Sequence, residues 1–192
     1  MLDEPQEFRV KSVPGAVYSE PDYREVAALQ EETSGLMRKA RGAAEEVERA
    51  EERLRHMRQA LTQTPSAEPT LFARMDAIET DLSGLRVRLS GDPIRGRWNE
   101  ASVPSILGRV GKIAGGHWDT RQAPTTTQQQ SLEVAQAEYA EVSVALKKVL
   151  ETEIRGLEDE LEAAGAPQIS TSSPVSGCLS KPTNTSLYWL VV

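Results

Sequence analysis

The sequence predicts an all-α fold: an elongated antiparallel helical bundle, coiled-coil-like, with two long helices and an interrupted return of two shorter ones. Three observations predict it. Apolar and small residues recur at alternating steps of three and four through most of residues 22–165, the spacing that keeps one stripe of a helix against a partner. Proline and glycine punctuate that region at a few places, where they end helices. At 1.5 Å per residue the first and last helices reach roughly 60 and 55 Å and the two between them roughly 33 and 18 Å, so the broken pair matches one long helix. An isolated heptad hairpin with the third helix as a side cap is the alternative arrangement of the same lengths.

Residues 1–21 hold Pro5, Pro14, Gly15 and Pro21 with a short alternating piece at Phe8-Arg9-Val10, and read as a strand remnant and linker. The first helix runs from Asp22 to Thr62, with Pro21 at its threshold. Its seam is Val26, Leu29, Thr33, Leu36, Ala40, Ala43, Val47, Ala50, Leu54, Met57 and Leu61. Four of these eleven are Ala or Thr, so the helices packed on it must approach closely. Glu45/Arg49 and Glu51/Arg55 have i,i+4 spacing, and the charge run around them reads as a solvated face.

Thr64-Pro65-Ser66 stops that helix. The second has Pro69 in its first turn and the seam Leu71, Met75, Ile78, Leu82, Leu85 and Leu89, ended by Gly91-Asp92-Pro93. Residues 90–102 read as loop. The third helix follows Ser102-Val103-Pro104, with Ser102 as cap, Ile106, Leu107, Val110 and Ile113 on one face, and Gly115-Gly116 as its stop. Residues 115–126 again read as loop. Three Thr/Gln pairs at capping-box spacing in Thr125–Gln130 can open the fourth helix. Its seam is Leu132, Ala135, Tyr139, Val142, Leu146, Val149/Leu150, Ile154, Leu157 and Leu161, and the register shifts by one near Leu150, a stutter. Gly165 and Pro167 end it. Residues 166–192 are rich in Ser, Thr and Pro with few charges and read as a disordered tail.

The whole chain has 192 residues, 22 basic against 29 acidic, for a net charge of −7. That length suits one domain, or one domain with a tail. The acidic balance argues against a nucleic acid or an anionic membrane as partner. A single cysteine, Cys178, excludes an intramolecular disulfide framework and a cysteine zinc ribbon. Met1-Leu2-Asp3-Glu4-Pro5 carries acids where a signal peptide needs bases, and the longest apolar run, Leu187–Val192, is far short of a membrane span. As written the chain reads as cytoplasmic, with no signal peptide of its own.

Tests for chemistry assign no residue. Gly111-Lys112 has Ile106 where a phosphate loop needs its first Gly and Ile113 where it needs Ser or Thr. Gly108-x-x-Gly111 lacks the first Gly of a dinucleotide fingerprint, and G-x-S-x-G does not occur. His56 and His117 lie too far apart for a helical zinc pair. His117-Trp118-Asp119 has the composition of an acid/base pair beside an aromatic platform, but with no nucleophile nearby it reads as a loop whose Trp plugs the bundle end. Trp98, in the other interhelix loop, reads likewise as a packing plug. Asn184-Thr185-Ser186 fits the glycosylation triplet and reads as chance, and Cys178 reads as an idle thiol. The catalytic, cofactor-binding and metal sets are therefore empty, and no cofactor is expected.

Five segments follow one another in a familiar order: Ser90-Gly91-Asp92-Pro93; Asn99 through Ile113 (NEASVPSILGRVGKI); Gly116-His117-Trp118-Asp119-Thr120; Ala123 through Gln128 (APTTTQ); and Leu161 through Pro167 (LEAAGAP). In these the chain resembles the C-terminal helical region of large bacterial sortilin-like proteins, which carry BNR/Asp-box β-propellers and are commonly labelled glycosyl hydrolases. The resemblance covers about residues 7–167. Phe8-Arg9-Val10 and Pro14 fit the junction to a preceding β-sandwich-like module. It implies an exported or periplasmic parent protein. The propeller and its Asp-boxes are not in this sequence, so no site residue carries over, and after Pro167 the chain departs from the family's usual Trp-Thr-Pro-Gly.

Three functions are expected in order. The first is a non-catalytic helical appendage that stiffens, docks against or oligomerises a larger protein, its partner being that protein's own β domains or a second copy. The second is a free-standing coiled-coil adaptor using the Ala-rich first seam for another chain. The third is a glycoside hydrolase fragment, which needs a carboxylate pair near Trp98 or Trp118.

Overall fold

The structure, a computed structural model, describes residues 20–65, 68–118 and 122–166, and only the backbone of residues 20–22, 117 and 118. Phe8-Arg9-Val10, Pro14, Asp119, Pro167, Cys178 and Asn184-Thr185-Ser186 lie outside the described residues. Among those described, the chain is all-α with no strand. The helices are α1 (Glu20–Thr62), α2 (Thr70–Ser90), α3 (Pro93–Arg97), α4 (Ile106–Trp118), α5 (Thr126–Lys148) and α6 (Arg155–Ala163), with a six-residue π-helical segment, Val149–Ile154, joining the last two.

The seams drive the packing. All eleven seam residues of α1 are buried, from Val26 to Leu61, and so are all six of α2, from Leu71 to Leu89. Ile106, Val110 and Ile113 of α4 and Leu132, Ala135, Val142, Leu146, Val149, Ile154, Leu157 and Leu161 of the last rod complete one continuous core. Leu107, Tyr139 and Leu150 are partly buried against it. Each fully buried Leu, Ile or Met contributes about 1.5–3 kcal/mol, and the core runs most of the length of the rod.

Ion pairs between helices fix the order of the layers. Arg58 of α1 meets Asp76 at 2.6 Å and Glu79 at 3.1 Å, and Arg86 of α2 meets Glu51 at 3.5 Å, so α1 and α2 are antiparallel. Arg74 pairs with Glu160, and Arg88 meets Glu141 at 2.6 Å, so α2 runs antiparallel to the last rod. Arg53 pairs with Glu158, and Gln136 donates to Glu32 at 3.4 Å, so α1 and the last rod are parallel. Arg109 of α4 reaches Glu138 at 3.7 Å, and Gly111 of α4 faces Met37 of α1. The architecture is therefore long helix, interrupted return, long helix. Glu45 meets Arg49 at 3.4 Å as its spacing predicts, whereas Glu51 turns across to Arg86 rather than to Arg55.

The stutter takes a definite form. Val149 and Ile154 are five residues apart and both are buried. An α-helical stripe takes steps of three or four. The extra residue is absorbed by widening the turn to the i→i+5 hydrogen bonding of a π-helix, so Leu157 and Leu161 return to the same core. The widened turn also lets Lys148 meet Glu153 at 2.8 Å, five residues along.

Several helix ends differ from the sequence reading. α1 begins at Glu20, so Pro21 falls inside its first turn. The region 90–102 contains a short helix, α3. Ser105, not Ser102, caps α4, accepting from the Gly108 amide at 3.1 Å. Gly115-Gly116 does not stop α4, which continues to Trp118; two glycines cost about 2 kcal/mol of helix propensity, which the buried Ile106, Val110 and Ile113 offset. Of the three Thr/Gln pairs, Thr125/Gln128 forms the capping box: Gln128 N donates to Thr125 Oγ1 at 3.2 Å and Thr125 N to Gln128 Oε1 at 2.9 Å. Gly165, at φ +78°, ends α6, with Ala166 N donating to Leu161 O at 3.0 Å and Gly165 N to Glu162 O at 2.9 Å. Those two bonds make a Schellman motif.

Candidate interaction site

The return breaks between α2 and α4, and the break is where the surface carries chemistry. Leu89 and Ile106, at its two sides, are fully buried. Between them none of residues 91–105 is buried. Arg88 and Arg109 tie both flanks to α5 at Glu141 and Glu138, about one helical turn apart. The segment thus leaves the rod and comes back at nearly the same height, in the manner of an Ω-loop.

The loop is ordered from within. Asp92 caps α3, accepting from the amides of Ile94 at 2.8 Å and Arg95 at 3.3 Å, and Pro93 takes the first helical position, where its missing N–H is harmless. At the other end Asn99 adopts φ +54°, a left-handed conformation that Asn tolerates better than most residues. Glu100 N donates to Arg95 O at 3.0 Å and Asn99 N to Gly96 O at 3.2 Å, a Schellman stop with Asn in place of Gly. A helix of one and a half turns that buries nothing is marginal in water. Here both ends are capped, and the caps hold it.

What the capped turn presents is apolar. Ile94 is 69%, Trp98 74% and Val103 79% exposed. Ile94 and Trp98 are four residues apart, with Trp98 N donating to Ile94 O at 3.2 Å, so they share one face. Trp98 is therefore no packing plug, because α3 lies off the rod and none of its residues is buried. Arg95 and Arg97 flank the indole; Arg95 lies 3.8 Å from Asp92. Large exposed aromatics beside Arg are the side chains that anchor protein interfaces.

Other features of the rod offer less. Among the described residues no three His, Cys, Asp or Glu side chains gather in a way that could hold a metal ion, and no helix is long and apolar enough to cross a membrane. His56 is exposed on α1. Glu32, Gly35, Leu36, Lys39, Gln136 and Tyr139 line a shallow open groove between α1 and α5. There Tyr139 donates to Lys39 O at 3.4 Å, and burial pushes its phenol up from the ordinary value. The Arg58 guanidinium is raised by its hydrogen bond to Asp76, with Glu79 beside it. These groups fasten helices to one another.

Sequence reasoning missed the loop as a site. The available signal was the sequence Asp92-Pro93-Ile94-Arg95-Gly96-Arg97-Trp98-Asn99, a cap, a proline at the first helical position and a left-handed Asn stop around an Ile/Trp pair. No protein-family model, no curated protein and no solved structure matches the chain.

Proposed function

We propose that this chain is a non-catalytic helical interaction domain, a stiff rod whose contact element is the loop 91–105. The observation that carries this reading is Trp98, 74% exposed on a turn that is capped at both ends. An exposed indole that adds nothing to the core, shares a face with Ile94 and stands beside two arginines has the composition of an interface anchor. The buried seams support the same reading from the other side: the eleven small and apolar residues of α1 are occupied within the chain, and among the described residues the loop groups three of the large exposed apolar side chains, Ile94, Trp98 and Val103, whereas Val144 on α5 stands outside it. The resemblance to the helical region of sortilin-like propeller proteins is consistent with reading this domain as an appendage of a larger protein.

The test is association of the full chain with itself and with the β-sandwich and propeller region of a sortilin-like protein supplied in trans. Ile94→Ser with Trp98→Ser abolishes association while the circular dichroism spectrum stays helical. Association that survives the double substitution, or turnover of aryl glycosides above blank by the purified chain, contradicts the reading.

A further inference from the structure

We propose that the loop is a dimerisation element: in a two-fold pair, Trp98 and Arg97 of one copy seat on the acidic flank of α1 around Glu48 and Glu52 of the other, and reciprocally. This rests on the loop being the contact element and adds the identity of its partner.

Charge is the first argument. The chain carries a net −7, yet Arg95 and Arg97 flank the exposed indole. Arg97 has no ion-pair partner among the described residues, and Arg95 reaches only Asp92, at 3.8 Å. On α1, Glu48 and Glu52 are exposed, one turn apart, and likewise without an ion-pair partner among the described residues. They line a shallow depression together with Glu45, Arg49, Glu51 and Arg55; Arg49 is engaged by Glu45 and Glu46, and with Arg55 counted the lining still holds four carboxylates to two guanidinium groups. Two carboxylates set one turn apart suit a pair of guanidinium groups.

Height along the rod is the second. Arg86 faces Glu51 at 3.5 Å across the antiparallel α1–α2 pair. Four residues on in α2 is Ser90, the root of the loop, and four back in α1 is Val47. Loop and acidic flank therefore stand level with each other near the middle of α1. A two-fold axis across the rod at that height brings each loop level with the other copy's flank, as an isologous contact requires.

Area is the third. Three exposed apolar side chains supply a few hundred Å², short of the roughly 1,200 Å² of a stable interface. A reciprocal contact doubles the area without any further feature.

Sedimentation equilibrium of the full chain over a concentration series tests this. The unsubstituted chain shows a monomer–dimer equilibrium that weakens with salt, and W98S weakens pairing by more than about tenfold. R95E/R97E alone and E48K/E52K alone are both monomeric, because each sets like charges together. An equimolar mixture of those two variants pairs again, since each loop then meets a flank of opposite sign. A chain that is monomeric throughout, a dimer indifferent to these substitutions, or a mixture that fails to pair overturns the proposal. A monomer that binds the sortilin-like β region through Trp98 overturns the dimer and leaves the contact reading standing; loss of binding to both partners after no loop substitution removes that reading too.

Discussion

Gly91 and Ser105, the first and last residues of the loop, lie against each other: a Cβ on Gly91 would sit 3.7 Å from the Ser105 hydroxyl oxygen. Gly91 also has φ +94° and ψ 167°, which side-chain-bearing residues rarely adopt. The loop thus opens at a position suited to glycine and closes at the serine that caps α4. Its two roots are joined, so what happens at its tip is separable from the packing of the rod beneath it.

The π-helical turn is a one-residue insertion, and removing it is predicted to be harmless. Deleting Thr152, which is exposed, brings the buried partners Val149 and Ile154 to four residues apart and lets an ordinary α-helix run through. Lys148 and Glu153 would then be at i,i+4 spacing and could still pair. Denaturant unfolding of the deletion is expected to give a stability equal to or above the parent. A loss of several kcal/mol, the size of a core cavity, would show that the widened turn is needed for packing.

Thr33 is a seam position of α1, 3% exposed, and its hydroxyl has no hydrogen-bond partner. A buried hydroxyl left unpaired costs about 1–3 kcal/mol, while Val has the same branched shape without that cost. Thr33→Val is expected to raise stability by about 1 kcal/mol in denaturant unfolding. A lower stability would mean that the hydroxyl is satisfied in solution.

The seams of α1, α2 and the last rod were legible because long helices repeat their pattern many times, and even the one-residue slip near Leu150 showed in the spacing. Gly115-Gly116 is a weaker stop than its composition suggests, because glycine weighs on local propensity, whereas burial of Ile106, Val110 and Ile113 acts over the whole helix. The outward placement of Trp98 is illegible in the sequence for a different reason. A lone aromatic in a loop carries no period, and whether it points in or out depends on where the caps of a five-residue helix aim it. The site was therefore the least legible part of the sequence, since only three-dimensional placement separates a plug from a contact.

Alkaline pH offers a test of the α1–α5 contact. Burial raises the Tyr139 phenol above its ordinary value of 10.0, so the folded chain holds that proton more tightly than the unfolded one. Below pH 10 both states are protonated and the contribution is fully present; above it the unfolded state ionises first and stability falls as pH rises. Tyr139→Phe is expected to show a shallower loss of stability above pH 10 than the parent. Parallel pH profiles would place the phenol in open water.

On the proposed reading the rod folds on its seams and the loop tip takes no part in its stability. Denaturant unfolding of I94S/W98S, at the lowest protein concentration the signal permits, tests it most directly, with Leu89→Ala as the reference for a core change. The expected result is a stability within about 0.5 kcal/mol of the parent for the loop variant and a loss of about 2–5 kcal/mol for Leu89→Ala. A loop variant as damaged as the Leu89 variant would contradict it.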